Sequence, residues 1–152
     1  KESFDALSFN CYALSPDHEK MNHALEISGL PMIIGEYHFG TVDRGLAQSL
    51  WQVNSQKERG DAFRYYTENA FAHRGLIGTG WFRWIDQNIN GRTDGENYNC
   101  GFIDVTDRPY PYMVDAAIKT AKSLYEIHSG TKTPFHQAPN AVGHSPIPDL
   151  WE

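Results

Sequence analysis

Three times along the chain a short apolar run gives way to a segment with helical spacing. Residues 4–12 (FDALSFNCY) read as a strand, and behind them Ser15 and Pro16 form a helix-start pair, the hydroxyl as N-cap and proline at the first helical position. Met21, Ala24, Leu25 and Ser28 then share one stripe, and Gly29 ends it. Pro31 opens a second strand, Met32–Tyr37 (MIIGEY). A polar loop with Gly40 and Gly45 follows, with a short helix predicted near residues 46–53. Residues 61–74 put Ala62, Phe63, Tyr66, Ala70 and Phe71 at helical spacing before Gly75. The third strand is residues 76–85 (LIGTGWFRWI). Residues 86–112 are rich in Asn, Gly, Asp and Pro, with one strand-like piece at 101–105. The strongest helical pattern runs over residues 113–128, with Val114, Ala117, Ile118, Ala121, Leu124 and Tyr125 as the predicted buried face and Gly130 as the cap. Residues 131–152 hold four of the eight prolines and no period, which predicts an extended arm.

Strand and helix alternating three times predict an α/β fold with a parallel sheet and right-handed crossovers. A (β/α)8 barrel spends ~250 residues on eight units, about 31 each. Here three units and a tail take 152 residues, so the loops after the strands are long. In such barrels those loops carry the active site. Three units cannot close a barrel, so the expectation is the C-terminal three βα units, strands six to eight, of a TIM barrel over residues 1–130, with the arm at 131–152. The chain opens on Lys1 instead of Met, in keeping with a piece of a longer protein.

Composition narrows the function. The chain is 40% hydrophobic, 21% charged and 13% aromatic, which is neither a disordered nor a fibrous profile. A formal charge of −6 disfavours a phosphate-backbone partner, so no nucleic acid is expected. No apolar run reaches the ~18 residues of a membrane helix, and no signal-peptide pattern opens the sequence. Cys11 and Cys100 make neither a disulfide framework nor a zinc site.

Several residues could carry chemistry. Glu36 ends an apolar strand, where a carboxylate suits a nucleophile or acid/base role or is simply a solvated strand end; strict alternation puts it on the side of Met32 and Ile34. Trp81, sharing parity with Ile77 and Thr79, could offer a flat ring to the C–H face of a sugar, or pack under a long loop together with Trp84. Tyr12, on the side of Asn10 and Ser8, could hydrogen-bond a nucleophile or merely pack. Asp86, Asn88, Asn90 and Gly91 begin like a calcium loop, but Asn97 occupies the last ligand position and the flanks are not two helices. The histidines show no paired metal spacing, and there is no nucleophile-elbow or phosphate-loop motif. No metal or cofactor is expected.

Residues Gly35-Glu36-Tyr37-His38-Phe39-Gly40-Thr41-Val42-Asp43-Arg44-Gly45 closely resemble the seventh-strand motif of glycoside hydrolase family 50, the β-agarases of clan A. Trp81-Phe82 through Asp86-Gln87, Gly91-Arg92 and Asp94-Gly95-Glu96-Asn97-Tyr98 resemble that family's eighth strand and following loop, and Gly101 to Asp107 continue it. Ser8-Phe9-Asn10-Cys11-Tyr12 is similar to its sixth strand. The resemblance implies a barrel that hydrolyses β-1,4 galactosidic bonds of agarose with retention, secreted or periplasmic, acting on polysaccharide or oligosaccharide. It implies Glu36 as nucleophile, Tyr12 beside it and Trp81 as the platform under the sugar, with Asn10, His38, Asp86, Glu96 and Asn97 lining subsites. The family's general acid is a glutamate in an Asn-Glu pair after the fourth strand; no such pair occurs here, so it would lie on the remaining N-terminal part of the same barrel. Gly80, Arg83 and Ile85 stand where the family pattern has histidine, glutamine and arginine. The alternatives are a clan relative acting on another galactoside and a non-catalytic carbohydrate-binding barrel.

Overall fold

The computed structural model describes residues 3–144. The elements run β1 (Leu7–Phe9), α1 (His18–Ser28), β2 (Met32–Tyr37), β3 (Trp51–Gln52), α2 (Gln56–Phe71), β4 (Leu76–Trp81), α3 (Pro111–His128) and β5 (Val142–Gly143). β1, β2 and β4 form one parallel sheet in that order, with Leu7 opposite Met32 and Met32 opposite Leu76. Parallel neighbours need a crossover, and α1 and α2 supply the two. The fold is α/β, as the alternation predicts. Met32, Ile34, Tyr37 and Leu76 meet Met21 of α1, Ala62, Phe63, Tyr66 and Ala70 of α2, and Met113 and Ala116 of α3 in one core.

Local chemistry moves several predicted boundaries. α1 starts at Asp17, not at the Ser15-Pro16 pair, because the Asp17 carboxylate accepts from the amides of Glu19 at 2.9 Å and Lys20 at 3.2 Å. Gly29 ends it at φ 62, as the sequence predicts. Residues 46–53 form no helix; Trp51–Gln52 are a short strand instead. α2 begins five residues earlier than predicted, since Ser55 Oγ accepts from the Glu58 amide at 3.2 Å and caps it. β4 stops at Trp81, short of Ile85, and the piece at 101–105 holds only isolated bridges of Ile103 to Ile85 and Pro109.

The face of α3 is the largest correction. Its buried residues are Met113, Ala116, Thr120, Ser123 and Ile127, whereas the predicted stripe is open, with Val114 37%, Ile118 49% and Tyr125 87% exposed. The helices approach too closely for large side chains: a Cβ at Gly60 would lie 2.6 Å from the Tyr112 carbonyl oxygen. Thr120 instead donates to Glu68 Oε1 at 3.0 Å. The buried Glu68 carboxylate also takes Arg64 at 3.0 Å and the Phe135 amide at 2.8 Å, which fixes the start of the predicted arm against α2. The arm ends, within the described residues, as β5 pairing antiparallel with β3; residues 145–152 of the predicted arm lie outside them.

Arg59 of α2 is fully buried and ties the loops after β2 and β4 together. It donates to the Phe39 carbonyl at 3.1 Å, to Gln56 Oε1 at 2.7 Å and to the Gly101 carbonyl at 2.6 Å, with its guanidinium 5.0 Å from the Tyr110 ring centre. Gln56 passes the connection on to Asp43 and Asn99, both at 2.7 Å.

Among the described residues β1 and β4 each have a single neighbour in the sheet, which leaves two unpaired edges, and the apolar stripe of α3 is exposed as well. Residues 1–152 expressed alone should therefore self-associate and lack a cooperative unfolding transition. A monomer with strong near-UV dichroism and one sharp transition is the contrary result.

Candidate active site

At the C-terminal end of β2 the strand departs from strict alternation. Ile34 stands opposite Thr79 and Tyr37 opposite Trp81, so Gly35 and Glu36 together face Gly80. Such a two-against-one bulge re-aims the following side chains. Tyr37 returns to the core beside Ile34 and stacks on Tyr66 with ring centres 4.0 Å apart. Glu36 is left on the other side, half-buried, where its Oε2 accepts from Tyr12 Oη at 2.8 Å. The expectation that Glu36 shares a side with Met32 and Ile34 is corrected by this extra residue. Glycines make the bulge possible: a Cβ at Gly80 would lie 2.3 Å from the Gly35 carbonyl oxygen, and one at Gly35 would lie 2.8 Å from Asn10 Oδ1. Asn10, which is exposed, thus stands over Gly35 and next to the Tyr12–Glu36 pair.

Burial, and then the carboxylate it bonds, push the Tyr12 phenol well above its ordinary range, so it remains a proton donor. Its backbone is held as well. The Trp51 indole donates to the Tyr12 carbonyl at 2.7 Å, and the Cys11 amide donates to the Glu36 carbonyl at 2.9 Å.

The other predicted site residues have structural partners. His38 is buried and packs between the rings of Tyr12, Phe82 and Tyr98, with centres 5.0, 6.0 and 5.8 Å away. The Leu50 amide donates to its Nε2 at 3.1 Å, so the proton sits on Nδ1, which donates to the Phe82 carbonyl at 3.0 Å. Both nitrogens are engaged by backbone, and His38 supports the site from behind instead of lining a subsite. Asp86 is buried too: Oδ1 takes the Gly101 amide at 2.7 Å, and Oδ2 takes Asn99 at 2.8 Å and the Tyr110 hydroxyl at 2.6 Å. These bonds use the carboxylate that a subsite, or the first position of a calcium loop, would need. Glu96 accepts from Gln87 at 2.7 Å and Arg92 at 3.2 Å within the loop after β4, and Asn97 accepts from the Ala47 amide at 3.2 Å, bracing that loop against the loop after β2.

Trp81 is half-buried and packs against the core. Its ring meets Tyr37, Phe63 and Phe102 at 5.2, 5.6 and 5.8 Å, and its Nε1 donates to the Cys100 carbonyl at 2.7 Å. The bulge in β2 is the reason, since it places Trp81 opposite the core-facing Tyr37. Phe82, one residue on, takes the position beside His38, and Trp84 is 68% exposed over Phe102. Sequence reasoning passed over Phe82, Trp51 and Arg59. Only Trp51 left a signal, as a large aromatic at the end of the segment read as a short helix.

No protein-family model matches the chain. It is 40% identical over 128 residues to beta-agarase A of Vibrio sp. (strain JT0107), a match covering 80% of this chain and 13% of that protein. A solved exo-beta-agarase superposes with a TM-score of 0.80 at 37% identity, over 86% of this chain and 18% of the other. The structure of PfGH50B superposes at 0.78 and 40% identity, covering 82% and 18%. The chain therefore spans less than a fifth of the length of these relatives.

Burial pushes the His38 imidazole down from 6.5 to about 3. The unfolded chain protonates this group near pH 6.5 and the folded one does not, so the stability from the neutral ring is complete above that pH and is lost as pH falls toward 3. His73, lowered by burial and by His18, adds a slope of the same sign. Denaturant unfolding of the protein carrying this chain should weaken by up to ~1.4 kcal/mol per pH unit across that window on account of His38. His38→Gln should flatten the slope; an unchanged slope in that variant would contradict the buried neutral assignment.

Proposed function

This chain belongs to glycoside hydrolase family 50, and from that premise we propose that the protein carrying it hydrolyses β-1,4 galactosidic bonds of agarose or a related galactan with retention, using Glu36 as nucleophile. The observation that carries the reading is the 2.8 Å bond from the Tyr12 hydroxyl to Glu36 at a bulged strand end. A carboxylate nucleophile must present one oxygen to the sugar, and the phenol donating to Oε2 orients the group for that attack.

In the first step Glu36 attacks the anomeric carbon and the glycosidic C–O bond breaks. The departing oxygen takes its proton from a second carboxylic acid, and the sugar is left as an ester of Glu36. In the second step the same acid, now a carboxylate, draws a proton from water as it displaces the ester, restoring both groups. Retention sets the two carboxyl groups ~5–5.5 Å apart. Among the described residues the other carboxylate whose charge reaches Tyr12 is Glu96, and Gln87 and Arg92 hold it. The acid therefore comes from the remaining part of the same barrel, after its fourth strand. That part would also pair with the open edges of β1 and β4 and cover Val114, Ile118 and Tyr125 of α3, completing a (β/α)8 barrel in which these are strands six to eight. Asn10, Trp81 and Phe82 would meet the sugar, with Trp81 as the platform beneath it. A gel-forming polysaccharide cannot enter a cell intact, so the protein would be secreted or periplasmic.

Glu36→Gln in the protein carrying this chain should lower agarose hydrolysis by roughly three orders of magnitude or more while oligosaccharide binding persists. Tyr12→Phe removes the hydrogen bond that orients the Glu36 carboxylate and should lower kcat by about ten- to a hundredfold. Reducing-end release measures both. Near-normal turnover in Glu36→Gln would overturn the nucleophile assignment and favour a carbohydrate-binding role.

A further inference from the structure

We propose that Trp51 is a positioning residue for the Tyr12–Glu36 pair and that the C-terminal strand β5, remote in sequence, holds it there. The Trp51 indole donates to the Tyr12 carbonyl at 2.7 Å, in the residue whose phenol bonds Glu36. Trp51 itself sits in a narrow ribbon. Its carbonyl accepts from the Gly40 amide at 2.9 Å, and the Val53 amide returns to the Gly40 carbonyl at 2.9 Å, which ties it to the loop after β2. On the other side Trp51 stands opposite Gly143 and Gln52 opposite Val142, with the His144 amide donating to the Leu50 carbonyl at 2.7 Å. Leu50 is also the residue whose amide fixes His38.

Gly143 carries a second sign of the same arrangement. A Cβ there would lie 3.0 Å from Trp51 Cζ2 and 3.1 Å from Cε2, so the backbone of β5 rests on the indole. The ring is clamped between this strand and the core, where Phe39 meets it at 6.4 Å. An indole so fixed sets the height of the Tyr12 main chain, and with it the distance of the phenol from the carboxylate. The arm from Phe135 to β5 thereby reaches a pair of residues it does not touch.

The inference rests on the proposed hydrolysis only for its kinetic arm, so the experiment has two readouts. In the protein carrying this chain, labelled with ¹³C at tyrosine Cζ, the Tyr12 signal is assigned from Tyr12→Phe and its response to the carboxylate from Glu36→Gln. Trp51→Phe keeps a ring and removes the donor; Gly143→Val, at an exposed position, pushes on the indole from the β5 side. Both should move the Tyr12 signal in the direction that Glu36→Gln does. Both should also lower kcat of agarose hydrolysis by about ten- to a hundredfold. Trp51→Phe added to Tyr12→Phe should cost little more than Tyr12→Phe alone, because the two act through one bond. An unmoved Tyr12 signal in Trp51→Phe and Gly143→Val overturns the proposal whatever the activity, as do fully additive losses. A moved signal in a protein that does not cleave agarose leaves the positioning role standing and removes the agarase reading.

Discussion

A buried guanidinium cannot be left without partners, and that requirement organises the end of the sheet where the chemistry is placed. Arg59 has no exposure, and its donors reach the Phe39 carbonyl of the loop after β2 and the Gly101 carbonyl of the loop after β4. An uncompensated buried cation costs several kcal/mol, so neither loop can move away without that penalty. Asn99, Gln56 and Asp43 extend the network, and Asp86 closes it through Asn99 and Tyr110. Long loops with few regular elements are thereby given one geometry. His38, Phe82 and Tyr98, which stand behind the Tyr12–Glu36 pair, lie in or beside those loops.

One inserted residue does as much as that network. Without the bulge at Gly35–Glu36, period-two alternation would send Glu36 into the core with Met32 and Ile34 and turn Tyr37 away from it. With it, Tyr37 stacks on Tyr66 and Glu36 meets Tyr12. Gly35 and Gly80 are the two positions at which a side chain would block that arrangement, through Asn10 and through the Gly35 carbonyl respectively. The same shift sets Trp81 against Tyr37 and Phe63, which is why an aromatic at the end of a strand packs against the core while staying half-buried.

The alternation of strand and helix, the strand Met32–Tyr37, the helix ending at Gly29 and the motif around Glu36 were legible in the sequence because each depends on neighbours along the chain. The facing of Glu36 and of Trp81 was not, since a bulge is a relation between two strands and leaves no trace in the parity of one. Helix α3 misled for a related reason. Its most apolar stripe reads as the buried one, yet the close approach of α2 at Gly60 selects Ala116, Thr120 and Ser123 for the contact. His38 and Asp86 carry the polar atoms of ligand-binding residues, and only their backbone partners reveal that those atoms are already taken. Trp51 was hidden by a helical reading of residues 46–53, because its partner strand lies about ninety residues further on, at Val142–Gly143.

That Glu36 forms the covalent bond to the sugar can be tested by trapping it. A 2-deoxy-2-fluoro galactoside with an activated leaving group slows both steps but lets the ester accumulate. After tryptic digestion, mass mapping should find the added sugar on the peptide between Lys20 and Arg44, which contains Glu36, and fragmentation should place it on that residue. A label on Glu26 or on any other carboxylate, with Glu36 unmodified, would contradict the assignment.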